Sequence, residues 1–373
     1  MLNSELGPEP AIIISFLKPL SEKGFLNEKS ELPVPRRPDW LLSRRRGVSD
    51  SKDSDYNLHM EYTTLGRTEL RVSVAGLGCG GNSKIGQGAG QSFDDSVRLV
   101  RRALDLGVNF LDTAQAYGTE TIVGEAIKIM PRDQVVLSTK HAVAGMSAEK
   151  ISKVVDSALK KLQTDYIDIF HLHGVHPKQY RLAFEELAPE LDRARDAGKI
   201  RFLGITETSP NDHEQTMLQR ALRDDCWDVM MLGFSMMHQV ARSAVLPYTK
   251  ERRIGTLMMF VVRNIFSDPE RLLTTVDDLA KNQLVPAWLA ATGNPLDFLL
   301  HDGGADSVVD AAYRYARHEP GADVVLFGTS QESHLEKNIS SILKPPLPPS
   351  DCAKLADLFG HLRGVGLDLP SAA

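Results

Sequence analysis

The chain is poor in cysteine. Only Cys79, Cys226 and Cys352 occur among 373 residues, and they form neither a Cys-x-x-Cys pair nor a zinc-ligand spacing. An odd, scattered set excludes a disulfide framework and reads as three reduced thiols. Long apolar runs are missing too. Nothing approaches the roughly 20 residues that cross a bilayer, and the short run at 11–17 follows Glu5 and Glu9 instead of the basic start of a secretory leader. A basic excess is also absent: the net charge is -6, where nucleic-acid binders carry a basic stripe. These absences set the expectation of a cytoplasmic protein with neither a membrane nor a nucleic-acid partner.

What is present is ordinary globular material, 42% hydrophobic and 25% charged, enough for a large core. Residues 1–59 stand apart. They hold Pro8, Pro10, Pro19, Pro33, Pro35 and Pro38, a polar run at 50–55, and no sustained periodicity. They read as an N-terminal extension with little packed structure, and Arg44-Arg45-Arg46 within them as a solvated charge cluster. The fold is expected over 60–362, with a tail at 363–373.

From Met60 onward, short runs rich in Val, Ile and Leu lie at 72–77, 108–111, 135–138, 166–172, 200–205, 229–232, 254–259 and 324–327. They are too short for helices and suit buried parallel strands. Helical patterns lie between them. Residues 94–106 begin at Asp94-Asp95 and stop at Gly107, and residues 147–162 begin at Ser147 and end near Lys160-Lys161. Further helices are expected at 192–197 and 330–342. Eight strand-helix alternations predict a closed (β/α)₈ barrel of the TIM type. A doubly wound sheet needs a glycine-rich turn leading straight into a helix. The glycines at 76–81 have the wrong spacing and sit more than ten residues from the next helical pattern. A long insertion at 263–305 separates strands seven and eight, and an extra helix is expected at 353–362.

In such a barrel, side chains at the strand C-terminal ends share one mouth. Strand two ends in Asp112, strand three in Lys140 and strand four in His173, with Tyr117 just after Asp112. Each residue alone has a plain explanation as a cap, a surface charge or a packed ring. Together they suit acid–base work on a carbonyl. A free phenol has a pKa near 10 and is a weak acid at neutral pH. An ammonium beside it stabilises the phenolate; moving the pKa to near 7 corresponds to about 4 kcal/mol. Asp112 would hold Lys140 charged, and His173 would hydrogen-bond the substrate oxygen.

These residues carry a resemblance to the aldo-keto reductases. Asp112-Thr113-Ala114 with Tyr117-Gly118 is similar to that family's D-T-A-x-x-Y-G stretch, and Glu120 to Ala126 to its E-x-x-(V/L)-G-E-A stretch. Lys140 and His173 match its other catalytic positions, and Gly198-Lys199-Ile200-Arg201 with Gly204-Ile205-Thr206 resembles its fifth-strand motif. The resemblance implies an oxidoreductase that moves hydride to or from a small aldehyde or ketone. Its catalytic residues would be Asp112, Tyr117, Lys140 and His173. It also implies an extended NADPH, with NADH left open, and no metal. The cofactor would lie against Gly78, Thr206, Glu207, Phe260, Gly328, Thr329, Ser330, His334, Lys337 and Asn338.

The cofactor side departs from the family pattern. Thr206-Glu207 stands for its Ser-Asn pair, Met231 for its strand-six Gln, and Gly328 and His334 for a Lys and an Arg that grip the 2′-phosphate. These losses keep a second reading open, a nucleotide-binding regulatory member without catalysis. A metal-dependent hydrolase built on His171, His173 and His176 is a third, opposed by the lack of a matching carboxylate–His set.

Overall fold

The structure, a computed structural model, describes residues 59–367. The described residues group as one compact unit. The expected N-terminal extension lies outside the described residues apart from His59, as does the arginine cluster at 44–46.

Ten strands occur among the described residues. β1 (Tyr62–Thr64) and β2 (Arg71–Ser73) form an antiparallel hairpin. The other eight are β3 (Ala75–Gly78), β4 (Phe110–Asp112), β5 (Val136–Ala142), β6 (Ile167–Val175), β7 (Ile200–Glu207), β8 (Val229–Gly233), β9 (Gly255–Met259) and β10 (Val324–Phe327). They pair in parallel in sequence order, and β10 closes the ring against β3. The expected (β/α)₈ barrel is therefore the fold.

One strand differs from expectation. The run at 72–77 is two elements: Val72 belongs to the hairpin, and the barrel strand starts at Ala75. Both stretches are apolar because both are buried, so composition does not mark the break.

Alternation sorts the barrel side chains into two sets. Phe110, Val136, Ile169, Val229, Met231, Leu257 and Val324 form an inner cluster with Leu65, Leu70 and Val72 of the hairpin. These inner residues stand near the strand starts, so the hairpin plugs the N-terminal end of the barrel. Only the C-terminal end is left for chemistry. The outward set packs under the helices in a separate, larger cluster. Each fully buried Val or Leu there contributes about 1.5–3 kcal/mol.

The helix Phe93–Asp105 begins on a reciprocal cap: Ser92 Oγ accepts from Asp95 N (3.1 Å) and Asp95 Oδ2 accepts from Ser92 N (3.2 Å). Ser147 takes the N-cap position of Ala148–Leu162, but its side chain makes no capping bond. The helical stretch after β6 starts at Tyr180 and ends at Asp196, earlier in the chain than the expected 192–197. Between β9 and β10 the expected insertion holds the helices Arg263–Ser267, Pro269–Lys281 and Ala287–Ala291, followed by Val308–Arg317. The final helix is Pro349–Phe359. Its Leu355 carbonyl accepts from Gln239 Nε2 (3.1 Å), and the trailing segment turns toward the mouth, where Gly364 N donates to His238 Nδ1 (3.2 Å).

Candidate active site

Asp112 is the last residue of β4, and Lys140 and His173 lie near the ends of β5 and β6. Register sets the three side by side: Asp112 pairs with Ser138, Lys140 with His171, and Ala142 with His173. Tyr117 closes a one-turn helix, Gln115–Tyr117, that Gly118 ends in the left-handed region (φ 75°). The four expected residues are thus brought to one mouth.

Lys140 and Asp112 are buried, 1% and 3% exposed. Lys140 Nζ donates to Asp112 Oδ1 (2.7 Å), Asp112 Oδ2 (2.6 Å) and Thr113 O (2.9 Å). Ser138 Oγ also donates to Asp112 Oδ1, at 2.8 Å. The ammonium lies 5.1 Å from the centre of the Tyr117 ring, and His173 meets that ring edge-on at 5.6 Å. Burial pulls Lys140 toward neutrality, but Asp112 and then Tyr117 outweigh it and raise its pKa.

Tyr117 departs from the simple expectation, and His173 does not. Burial raises the Tyr117 phenol above its ordinary value, and the opposing pull of Lys140 does not overcome it. In the free protein Tyr117 is therefore a protonated acid, not a phenol tuned to near 7. Burial, with the charges of Lys140 and His141, pushes His173 down to about 3, so its imidazole is neutral at physiological pH.

Gly80, Gly204 and Thr119 support the site without a local signal in the sequence. A Cβ on Gly80 would meet Tyr117 Cε2 at 2.4 Å, and one on Gly204 would meet His171 Nδ1 at 2.0 Å. Thr119 Oγ1 donates to Cys79 O (3.0 Å) and shares a hydrogen bond with Thr113 Oγ1 (2.8 Å), which ties the Tyr117 loop to β3. Buried Glu120 accepts from Thr139 Oγ1 (2.8 Å) and Lys161 Nζ (3.3 Å). A cavity of about 140 Å³ lined in part by Gln115, Glu120 and Lys140 adjoins these groups. A larger cleft of about 550 Å³ lies on the flank, where Arg242 is already matched by Glu319 and Tyr315.

The expected cofactor residues divide between the strand ends and the helix that follows β10. Gly78 and Gly328 stand at the ends of β3 and β10; a Cβ on Gly328 would come within 3.3 Å of Gly78 O and of Ser83 Oγ. Thr329 Oγ1 is committed to Gln331 N (3.0 Å), and Ser330 O accepts from Gln91 Nε2 (2.6 Å). The helix Glu332–Leu343 has no side-chain cap, which leaves its first N–H groups open. His334 and Lys337 are exposed on it, and Asn338 is half-buried. Arg102 is held nearby by Glu332 and Glu336.

Thr206 Oγ1 accepts from Gly174 N (2.7 Å), beside His173. Glu207 is 2% exposed; its Oε1 accepts from Gly233 N and from Gln215 Nε2 (3.3 Å), and its Oε2 is buried without a partner. Burial raises this carboxyl to about 7. Met231 points into the inner core and offers no polar group. Phe260 follows β9 with φ 63°, and the Arg263 guanidinium covers one face of its ring at 4.3 Å. Among the described residues no cluster of three or more His, Cys, Asp or Glu side chains is placed to hold a metal, and His176 Nδ1 is taken by Lys178 N (3.2 Å).

The aldo/keto reductase family model matches residues 76–359. The chain belongs to the aldo/keto reductase family. It is 33% identical over 298 residues to aldo-keto reductase YhdN of Bacillus subtilis, covering 74% of this chain and 87% of that one. L-galactose dehydrogenase of Arabidopsis thaliana is 28% identical over 293 residues, covering 76% and 88%. Among solved structures, aldo-keto reductase AKR11C1 of Bacillus halodurans in its holo form superposes with a TM-score of 0.63 at 21% identity, covering 83% of this chain and all of that one. As an aldo-keto reductase, the chain is an oxidoreductase. Among its described residues no helix is long and apolar enough to cross a membrane.

Proposed function

We propose that the chain is a nicotinamide-dependent oxidoreductase that interconverts a small carbonyl compound and its alcohol. The observation that carries this reading is the buried Lys140–Asp112 pair at the Tyr117 ring, 5.1 Å from ammonium to ring centre. A regulatory binding module has no use for a fully desolvated ammonium aimed at a phenol. The cofactor, when bound, supplies or accepts the hydride.

The chain's own residues handle the proton and the oxygen. Tyr117, protonated in the free protein, donates to the carbonyl oxygen during reduction and accepts the alcohol proton in reverse. Lys140 stabilises the phenolate that forms, and Asp112 keeps Lys140 charged and fixed. His173 is neutral, so it hydrogen-bonds the substrate oxygen without adding charge.

The rim fits a dinucleotide. Gly78 and Gly328 leave bare backbone at two adjoining strand ends, and the uncapped helix after β10 suits a phosphate. Thr329, Ser330, His334, Lys337 and Asn338 would line that end, and Thr206, Glu207 and Phe260 the nicotinamide end. NADPH is the proposed partner by family likeness, with His334 and Lys337 as the cationic groups for a 2′-phosphate. Tighter binding of NADH than NADPH would overturn that assignment. A small polar, sugar-like carbonyl is the proposed substrate class. It is supported by the short, capped turn at Pro177–Gln179 after β6 and by the likeness to a sugar dehydrogenase. The test is a panel of sugars and small aldehydes with both cofactors; activity confined to bulky steroids would contradict it.

A further inference from the structure

Glu207 is a carboxyl group the proton-transfer chemistry leaves idle. It stands at the C-terminal end of β7, paired in register with Val175, two residues past His173. Its neighbour Thr206 holds the backbone of Gly174. The carboxyl therefore belongs to the same rim as the catalytic imidazole. Oε1 is held by Gly233 N and Gln215 Nε2, while Oε2 is sealed from solvent with only the buried Ser209 hydroxyl as a polar neighbour. A Cβ on Gly233 would touch Glu207 Oε1 at 2.9 Å, the Phe260 ring at 3.3 Å and Leu367 at 3.4 Å. Only a glycine permits that convergence, so the carboxyl, the aromatic ring and the bare backbone meet at one point.

Among the described residues, no hydrogen bond or ion pair gives Glu207 a counter-ion. On the following loop, Asp212 is a like charge, and its own oxygens are taken by Thr216 N (3.0 Å), Thr216 Oγ1 (2.7 Å) and Met217 N (2.8 Å). From the segment after β9, Arg263 is laid over the Phe260 ring. From the segment after β8, buried His238 accepts from Gly364 N, with His213 and Arg363 as its charged neighbours. The C-terminal segment contributes Leu367, which is apolar, and β8 contributes Gly233 backbone. A buried carboxyl with no cation beside it among the described residues holds its proton to a higher pH than usual, and a ligand that brings positive charge or N–H donors favours its release.

The oxidised nicotinamide nucleotide brings both: a cationic ring and a carboxamide NH₂. Its reduced form brings the carboxamide alone. We propose that Glu207 makes this site discriminate between the two oxidation states of its nucleotide, binding the oxidised form as a carboxylate with release of one proton to solvent. This rests on the nicotinamide-dependent reading above. The balance is simple: the Glu207 O–H bond breaks, the proton goes to buffer, and the carboxylate remains opposite the ring cation. Above neutral pH the site then favours the oxidised nucleotide, and the chain runs as a dehydrogenase on an alcohol or lactol. Protonated Glu207, found near pH 7 and below, suits the reduced form.

The test is fluorescence titration of the full chain with oxidised and reduced nucleotide from pH 6 to 8, for wild type and Glu207→Gln. In wild type the dissociation-constant ratio, oxidised over reduced, is expected to fall about tenfold across that range. In Glu207→Gln it is expected to stay flat. His173 and His238, held near 3 and 4, do not titrate in this window. A flat ratio in wild type, or the same slope in both proteins, overturns the proposal. If neither nucleotide binds at any pH, the nicotinamide reading itself is overturned. Should Glu207→Gln fail to fold, calorimetry of the wild type in two buffers of different ionisation heat decides the matter. Net proton release on binding the oxidised but not the reduced nucleotide supports the proposal, and equal release for both overturns it.

Discussion

Gly80 lies flat against Tyr117. A Cβ at position 80 would sit 2.4 Å from Cε2 and 2.6 Å from Cζ of the ring, closer than any real contact. Gly80→Ala must therefore push the phenol off its position beside Lys140. A displacement of about 1 Å at a reacting group costs on the order of 10²-fold in rate. Turnover in Gly80→Ala is expected to fall by about that factor, with a melting midpoint close to wild type because the ring is only half-buried. Full activity would show that the glycine does not position the ring.

The Lys140–Asp112 pair makes a stability prediction. Removing one partner strands a desolvated charge, which costs about 3–5 kcal/mol. Asp112→Asn and Lys140→Met are each expected to lower the unfolding free energy by that order in denaturant titrations. The double variant should be less destabilised than the sum of the two, because it leaves no lone charge. Strict additivity would mean the two groups are not coupled.

Acid and alkali act on this fold through different residues. The folded pKa of His173 is depressed to about 3 and that of His238 to about 4, below the ordinary imidazole value of 6.5. As pH falls below about 6.5 the unfolded chain takes up protons the folded chain refuses, so stability falls. Glu207 works in the opposite sense. Its folded pKa is raised from 4.5 to about 7, so its contribution is full below about 4.5 and is lost as pH rises toward 7. The stability of wild type relative to Glu207→Gln is expected to fall from pH 4.5 to 7 and to level off above 7. A wild type that gains on the variant as pH rises would contradict the burial of this carboxyl.

His171 fills the space that Gly204 leaves. Both of its ring nitrogens are buried without partners, and burial together with Lys140 holds its pKa well below the usual range. Gly204→Ala forces a methyl group into the ring and is expected to cost about 1–3 kcal/mol. Adding His171→Ala should restore part of that loss by removing the clash. No rescue in the double variant would show that position 204 acts through its backbone.

Much of this was legible in the residues. Short Val- and Ile-rich runs betray parallel strands because both strand faces are buried, and Asp112, Lys140 and His173 end three successive strands where a barrel gathers its chemistry. What escaped was long-range. Gly80 and Gly204 matter only through rings supplied by Tyr117 and His171, and no local pattern signals that packing. The break at Val74 is invisible because hairpin and barrel strand are equally apolar. The raised phenol of Tyr117 escaped for the same reason: residue types show the lysine beside it, but not how much water the fold removes. Glu207 was visible as an oddity, while its orphaned oxygen needed Gly233 and Gln215 in place.

In the proposed reaction Tyr117, steadied by Lys140, moves the proton while a nicotinamide moves the hydride. Stopped-flow absorbance at the reduced-nicotinamide band, with the best carbonyl substrate from a broad panel, tests it in one comparison. Wild type is expected to consume the reduced nucleotide, and Tyr117→Phe to slow by about 10²- to 10⁴-fold while still binding it. Equal rates in the two proteins, or no consumption by wild type with any carbonyl and either nucleotide, would contradict the account.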